Sequence, residues 1–342
     1  MTTIAIKLGP LSARPPRRLV LINISLVLAI LLIAFQKLVG GSYPVSISDV
    51  FAAVQGQADP ITSMIILDHR APRVLVAIGV GLAFGLAGEM IQTVLRNPLA
   101  SPDIIGFSAG ASTGAIAAVI LTGSAGVVFL GAMFGGIVVA TAVMALSWNK
   151  SIAPGQLVLI GIGVSMTVSV FNDLLMTSFD ITRAAEIAKW LVGSLEARDW
   201  NDVTLVWIGL LILGPLAFWR QFHLARLALG EDTATVLGIS VNITRIISLI
   251  LALGLVAVAV GTAGPLPFVA FVAGPIAHGL NKAPRPSLLT AGLIGALVTL
   301  IADAIAGSLP GGLVLPAGIF TSLFGAPVLI WILILESRKR RI

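Results

Sequence analysis

One stretch of the chain decides the fold class. Between Arg73 and Arg96 lie twenty-two residues whose only ionisable member is Glu89. At 1.5 Å per residue, a helix of this length is about 33 Å long, which is enough to cross the hydrocarbon core of a bilayer. The segment 97–102, directly after it, contains two prolines, which predict that this helix ends and that another begins near Pro102. The stretch is typical of a membrane-spanning helix followed by a tight turn.

The composition extends this prediction to the whole chain. Of 342 residues, 57% are hydrophobic and 11% are charged, and the mean hydropathy is +1.05. Such a chain has too little polar surface to cover a water-soluble globule. Its apolar runs are continuous and do not alternate, which favours helices over a β-barrel. We therefore expect an all-α polytopic membrane protein in which residues 1–342 form a single transmembrane domain.

The apolar runs predict ten transmembrane helices. They lie at 19–35, 74–95, 103–121, 127–146, 154–175, 203–219, 246–260, 268–280, 287–305 and 319–335, and the eighth is expected to be broken by Gly274 and Pro275. A polar elbow at 177–202 is expected outside. With both termini in the cytoplasm, most Lys and Arg residues lie inside, as the positive-inside rule requires of a protein of the cytoplasmic membrane. Six lie outside: Lys37, Arg70, Arg73, Arg183, Lys189 and Arg198.

Several functional classes find no support in the motifs. The three histidines are widely separated, and no glycine is followed by lysine, so metalloprotease and P-loop patterns are absent. The chain has no cysteine, which excludes disulfides and thiolate metal sites. The net charge of +6 is explained by the inner loops, since no basic patch is interleaved with aromatic residues as nucleic-acid binding would require. We expect a non-catalytic chain whose fuel is hydrolysed by another molecule.

The segment 224–239 between the sixth and seventh spans is longer than a simple connection needs. An apolar stripe at Leu227, Ala234 and Leu237, with Gly238 as a helix C-cap, predicts short helices that rest against a cytoplasmic partner. The alternative is an amphipathic helix that lies on lipid. We call residues 224–239 the coupling segment.

Three charged residues near the second span need partners. Arg70 and Arg73 lie three residues apart, on one helical face, and oppose the positive-inside bias. Lipid phosphate, Asp68 or carboxylates of a docking protein could offset them. Glu89 lies inside the span, where a carboxylate facing lipid costs roughly 2.5 kcal/mol or more, so we expect it to face a partner, water or the transport path.

Motifs in order along the chain carry a family resemblance. They are R-x-P-R at 70–73, R-N-P-L-A-x-P-x-x-x-G-x-x-x-G-A from 96, W-L-x-G-S-L at 190–195, A-L-G-E at 228–231, A-G-P-x-x-F-V at 263–269, Ala302-Asp303, and L-P-A-G-I-x-T-x-x-x-G-A-P at 315–327. Over nearly the whole chain, this pattern resembles the FecCD family. Its members are the membrane subunits of type II ATP-binding-cassette importers for ferric siderophores, haem and vitamin B12.

The resemblance implies the type II importer permease fold, a second permease subunit that is identical or paralogous, two cytoplasmic ATPase subunits that hold ATP and Mg²⁺, and an external substrate-binding protein. This chain itself would bind no cofactor or metal. Spans five and ten would line the path. The ATPase-coupling residues would be Ala228, Leu229, Gly230, Glu231, Ala234, Leu237 and Gly238. Arg70 and Arg73 would dock the binding protein, and Ala153, Pro154 and Gly155 would form the inner gate.

The chain departs from the family pattern at three points. Gly307 stands where many members carry a third arginine, and His278 replaces a cation at the end of span eight. Glu89 is unusual inside a span. Together with Asn97, Pro98 and Asp303, we regard Glu89 as a path or structural residue.

The substrate prediction depends on the sequence R-N-P-L-A-S-P-D-I-I-G-F, which resembles the corresponding segment of permeases of the ferric-enterobactin type. A ferric siderophore is therefore the expected substrate, with vitamin B12 or haem as the alternative. An ion-coupled secondary transporter would also show broken spans, but it would need more intramembrane ionisable residues than Glu89, Asp173 and Asp303. A structural scaffold would not need broken helices at membrane depth.

Overall fold

A computed structural model describes the chain over residues 6–8, 11–13, 16–41, 43–122, 127–149, 151–177, 179, 187–188, 190–282, 286–309 and 315–339. Part of the predicted elbow at 177–202, namely residues 178, 180–186 and 189, lies outside these residues.

The fold is built from helices. In chain order they are α1 (Arg17–Val39), α2 (Ile47–Val54), α3 (Pro60–Ser63), α4 (Ala71–Leu95), α5 (Phe107–Thr122), α6 (Val128–Leu146), α7 (Pro154–Met176), α8 (Trp200–Leu227), α9 (Glu231–Val236), α10 (Val241–Ala263), α11 (Val269–Asn281), α12 (Leu288–Ala306) and α13 (Ala317–Lys339). A π-helical stretch, Met64–Arg70, joins α3 to α4, and a 3₁₀ turn, Pro102–Ile105, precedes α5. Two short antiparallel pairs complete the described elements: β1 (Ile6–Leu8) with β2 (Leu11–Ala13), and β3 (Trp148–Asn149) with β4 (Ser151–Ile152).

Within the described residues, seven helical segments are long and apolar enough to cross a membrane. They are α1, the continuous segment Pro60–Leu95 that contains α4, α6, α7, α8, α10 and α12. The remaining predicted spans fall on shorter apolar helices, namely α5, α11 and Ala317–Ile332 of α13. The prediction of a helical chain with several helices of membrane-spanning length is confirmed.

Helix α8 is longer than its predicted span of 203–219. It begins at a capping box, in which the Asp199 carboxylate accepts hydrogen bonds from the N–H groups of Asn201 (2.8 Å) and Asp202 (3.0 Å). The hydrogen bond from the backbone N–H of Asp202 is the main reason why the pKa of the Asp199 carboxyl group is below its ordinary value. At its other end the helix continues to Leu227, so the coupling segment begins inside the last turn of α8.

The predicted break in the eighth span is wrong, because α11 continues through Pro275. A proline inside a helix leaves the carbonyl four residues earlier without its usual donor. Here that carbonyl belongs to Phe271, and the side-chain amide of Gln92 donates to it at 2.9 Å. A side chain of α4 thus replaces the missing backbone hydrogen bond.

Helix α4 is the centre of the bundle. It packs against α8, α10, α11 and α12, and most of its residues are buried. Close approach to α12 depends on small residues: a Cβ atom on Gly81 would lie 2.5 Å from the Cα atom of Ala296. Such contacts let helices associate where lipid supplies no hydrophobic drive. Helix α4 therefore connects Arg70 and Arg73, at its start, with the turn that follows it.

Candidate functional site

Two glycines of the coupling segment have backbone conformations that other residues adopt only with strain. Gly230, between α8 and α9, has φ +120° and ψ 151°, a region of backbone conformation that is essentially restricted to glycine. Gly238, after the end of α9, has φ +79°. The N–H of Ile239 then donates to the carbonyl of Ala234 at 2.9 Å, as in a Schellman motif. The sequence prediction that Gly238 ends a helix is confirmed.

Two arginines attach the coupling segment to the bundle. Arg96 ends α4 in the left-handed conformation, with φ 50°, and its Nη2 donates to the carbonyl of Leu227 at 3.2 Å. Arg245, on α10, is only 2% exposed, and its Nη2 lies 2.6 Å from Oε1 of Glu231. Because one arginine belongs to α4 and the other to α10, a displacement of the segment acts on both helices.

Asn97 stabilises the turn that follows Arg96, and Pro98 is part of this turn. The N–H of Asn97 donates to the carbonyl of Gln92 at 3.1 Å, and its Oδ1 accepts from the N–H of Leu99 at 3.0 Å, so the turn is closed on both sides. Both residues line a cavity of about 400 Å³ together with residues 228–230 of the coupling segment. Asn97 and Pro98 therefore lie next to the coupling segment, where their role is structural.

The coupling segment exposes three large apolar side chains. Leu229, Val236 and Leu237 are all exposed, Val236 to 87%. Leu227 and Ala234 are fully buried. The predicted stripe of Leu227, Ala234 and Leu237 is therefore wrong as a single partner-facing surface, because Leu227 and Ala234 pack inside the chain and only Leu237 is exposed. The apolar surface available to a partner is formed by Leu229, Val236 and Leu237.

Glu89 is fully buried, so the prediction that it does not face lipid is confirmed. Its Oε1 accepts a hydrogen bond from the N–H of Ser287 at 3.0 Å and lies 2.9 Å from Nε2 of His278. Helices α4, α11 and α12 are joined by these contacts. His278 also lines the 400 Å³ cavity, so Glu89 lies one side chain away from it.

At the other end of α4, Arg73 binds Asp303 of α12. The guanidinium Nε donates to both carboxylate oxygens, at 3.0 and 3.1 Å, and Nη2 donates to Oδ1 at 2.7 Å. The ammonium group of Lys37, on α1, binds the same carboxylate. We call Lys37, Arg73 and Asp303 the Asp303 cluster. Within the chain, the partner of Arg73 is Asp303 and not Asp68, which was one of the partners considered from the sequence.

Arg70 has a different environment, although the sequence places it on the same helical face. Its guanidinium donates to the carbonyls of Leu38 (2.8 Å), Val39 (3.1 Å) and Tyr43 (2.9 Å). These groups lie at and just beyond the carboxyl end of α1, where helix carbonyls lack internal donors. Arg70 therefore caps α1 and uses its donors on neutral oxygens.

A cavity of about 660 Å³ lies beside the Asp303 cluster. Lys37, Arg70, Arg73 and Gly307 are among the residues that line it. Gly307 adds no cation to this cavity, whereas Lys37 brings one from α1.

The residues predicted for the inner gate form the start of α7. Ala153 is its N-cap and Pro154 its first residue, a position that suits proline because no helical N–H is lost. A Cβ atom on Gly155 would meet nothing within 4 Å.

The model of the FecCD transport family matches residues 26–335. The chain belongs to the FecCD transport family. The ferric enterobactin transport system permease protein FepG of Escherichia coli is 37% identical over 95% of this chain and 98% of its own length. The Fe(3+)-citrate import system permease protein YfmE of Bacillus subtilis is 33% identical, over 92% and 96% respectively.

The FecCD fold is also found among solved structures. An inward-facing conformation of a metal-chelate type ABC transporter is superimposable with a TM-score of 0.81 at 29% identity, and the match covers 91% of this chain and 98% of that chain. The sequence-based resemblance and the all-helical permease architecture are confirmed.

Sequence reasoning missed two contacts of this FecCD chain. It did not pair Glu89 with His278, although both had been recognised as departures from the family pattern. It also did not pair Arg73 with Asp303, which lies 230 residues later. In both cases the signal was a charged residue in an apolar span, since such a residue needs a partner of opposite charge or a hydrogen-bond donor.

Proposed function

We propose that this chain is the permease subunit of an ATP-driven importer that carries an iron(III)-siderophore across the cytoplasmic membrane. Membership of the FecCD family supports the transport role. The two relatives described above are named for ferric enterobactin and for iron(III) citrate, and these names favour an iron chelate over vitamin B12 or haem. The apolar path predicted from the sequence contains no evident metal ligands, so iron travels inside its chelator.

The proposed architecture has ten spans in a single domain, with both termini in the cytoplasm. The seven long helical segments and the three shorter apolar stretches, α5, α11 and Ala317–Ile332 of α13, support this count. Two such chains, or this chain and a paralogue, form the transmembrane unit. Helices α7 and α13 line the path, and residues 153–155 narrow its inner end.

The observation that carries the proposal is the coupling segment, an exposed apolar surface fixed to the bundle by arginines. A cytoplasmic ATPase subunit docks on Leu229, Val236 and Leu237, where burial of apolar side chains stabilises the contact. Closure of two ATPase subunits around ATP and Mg²⁺ moves the segment. The movement passes through Arg96 to α4 and through Arg245 to α10, and alternating access follows. This chain holds no nucleotide and catalyses no reaction.

An external substrate-binding protein docks at the opposite end of α4. Arg70 and Arg73 were both proposed for this contact from the resemblance. Arg73 has its guanidinium beside the 660 Å³ cavity and bound to a carboxylate. It is the better docking residue, because Arg70 already donates to three backbone carbonyls.

Reconstitution tests this function directly. The chain is placed in proteoliposomes with candidate ATPase subunits, a candidate second permease subunit and a panel of binding proteins, each loaded with a ferric siderophore, haem or vitamin B12. The expected result is ATP hydrolysis and iron uptake stimulated by a binding protein loaded with a ferric siderophore. Stimulation by haem or vitamin B12 alone would change the substrate, and uptake without any ATPase would contradict the proposed class.

A further inference from the structure

We propose that Lys37 is a docking cation for the external binding protein, and that it receives an acidic side chain of that protein together with Arg73. Asp303 holds the two cations in place until the partner arrives. This inference rests on the proposed function, since it requires a binding protein.

The geometry of the Asp303 cluster is that of a preformed site. The Asp303 side chain is 0% exposed, whereas the Lys37 and Arg73 side chains are 14% and 23% exposed. The carboxylate therefore lies behind the cations, and the cations face the cavity. The three side chains come from α1, α4 and α12, so the positions of Lys37 and Arg73 are fixed by three helices that pack against one another.

The charges of this region do not balance. Lys37, Arg70 and Arg73 all line the 660 Å³ cavity, and no acidic residue is among its described lining residues. Asp303, behind the cavity wall, offsets one of the three positive charges, and the bonds of Arg70 go to neutral carbonyls. A cavity with an excess of two positive charges attracts an anionic partner and disfavours a basic one.

Lys37 has the chemistry needed to bind a second carboxylate. An ammonium group carries three N–H donors, and the contact with Asp303 occupies one of them. Arg73 is bound to Asp303 through Nε and Nη2. Gly307 lies beside Arg73, since an ideal Cβ atom on it would be 3.9 Å from Nη2 of Arg73. Because glycine has no side chain, Gly307 does not cover this guanidinium. An acidic side chain in the cavity can therefore approach Lys37 and Arg73 from the side opposite Asp303.

The alternative is that Lys37 only neutralises Asp303. That role requires no cavity and no excess of cations, and Arg73 already binds both carboxylate oxygens of Asp303. The two roles also differ in what they predict: a neutralising lysine affects stability alone, whereas a docking lysine affects the affinity for the binding protein and its dependence on salt.

The test uses the full transporter complex in proteoliposomes and the binding protein that stimulates ATP hydrolysis in the reconstitution described above. Lys37→Gln should raise the Kd for this binding protein about tenfold and reduce the salt dependence of binding. Lys37→Arg, which keeps the charge, should stay within about twofold of wild type. Arg17→Gln is the matched control, because it removes one positive charge from the exposed opposite end of α1, and it should leave Kd unchanged.

A second measurement needs no substitution at all. Carbodiimide joins amines to carboxylates that are in contact, so treatment of the wild-type complex should link Lys37 to an acidic residue of the binding protein. Unchanged Kd and salt dependence in Lys37→Gln would overturn the inference. If that variant does not fold, a Lys37 that links only to Asp303 would overturn it instead. If no binding protein stimulates ATP hydrolysis, the proposed function itself fails, and this inference fails with it.

Discussion

The two ends of α4 differ in the physics of the surface they present. At the Arg73 end, cations from α1 and α4 surround one buried carboxylate and line a cavity with excess positive charge. At the Arg96 end, Arg96 and Arg245 are bound to the coupling segment, and Leu229, Val236 and Leu237 form an exposed apolar surface. Charge complementarity gives fast, salt-sensitive association, whereas apolar burial gives contacts that depend little on salt. The first suits a partner that comes and goes, and the second suits a permanent subunit.

The largest difference should appear in stability when the carboxylate is removed from each end. Asp303→Ala leaves Arg73 and Lys37 without their buried partner, and breaking such a pair costs about 3–5 kcal/mol. Glu231→Ala should cost less, about 1–3 kcal/mol, because it leaves one buried guanidinium without a partner, that of Arg245, and the carboxylate it removes is half exposed. Thermal unfolding of the purified variants in detergent measures both. Equal losses of stability in the two variants would show that the two ends of α4 do not differ in this respect.

The next effect concerns the backbone at Gly230. In Gly230→Val, a β-branched residue is forced into a conformation that costs about 1–3 kcal/mol, so the segment should rearrange. Association with the ATPase subunits in detergent should weaken about tenfold or more, and uptake should fall with it. Gly279→Val is the matched control, because a Cβ atom there meets nothing within 4 Å and the backbone φ is not positive. Unchanged association and uptake in Gly230→Val would remove the coupling role of the segment.

A smaller difference is expected in how salt affects binding at the two interfaces. The Debye length falls from about 10 Å at 0.1 M to about 3 Å at 1 M ionic strength. Binding of the external protein to the Arg73 end should therefore weaken several-fold over this range, while association of the ATPase subunits should change less than twofold, roughly. Titration of each partner against the reconstituted transporter gives both slopes. Equal slopes would mean that the two surfaces do not differ in kind.

The smallest effect is expected between the two ends, at Glu89. Glu89→Gln keeps an oxygen that can accept from the N–H of Ser287, so the unfolding free energy should change by less than about 1 kcal/mol. Glu89→Ala removes that acceptor and should cost about 1–3 kcal/mol. Chemical denaturation in detergent compares the two. A Glu89→Gln variant that is stable but does not transport would instead give Glu89 a functional charge.

The sequence predicted those features that depend on interactions between neighbouring residues. The prolines that end α4, the apolar runs and Gly238 were sufficient for the helices and the cap. Contacts between distant parts of the chain were not predictable in this way: Asp303 is 230 residues from Arg73. Pro275 was expected to break a span, but Gln92, from another helix, bonds the carbonyl that proline leaves free. Tertiary packing determined each of these, and no periodicity in the sequence encodes it.

The most direct test of the central claim uses a single cysteine on the coupling segment. The natural chain contains none, so Val236→Cys introduces one thiol, at a position that is 87% exposed. A membrane-impermeant maleimide should label it in inside-out vesicles and not in intact cells, and bound ATPase subunits should protect it. Ser308→Cys, beside the 660 Å³ cavity, should show the opposite sidedness. Labelling of Val236→Cys from the outside of intact cells would contradict a permease driven from beneath residues 224–239.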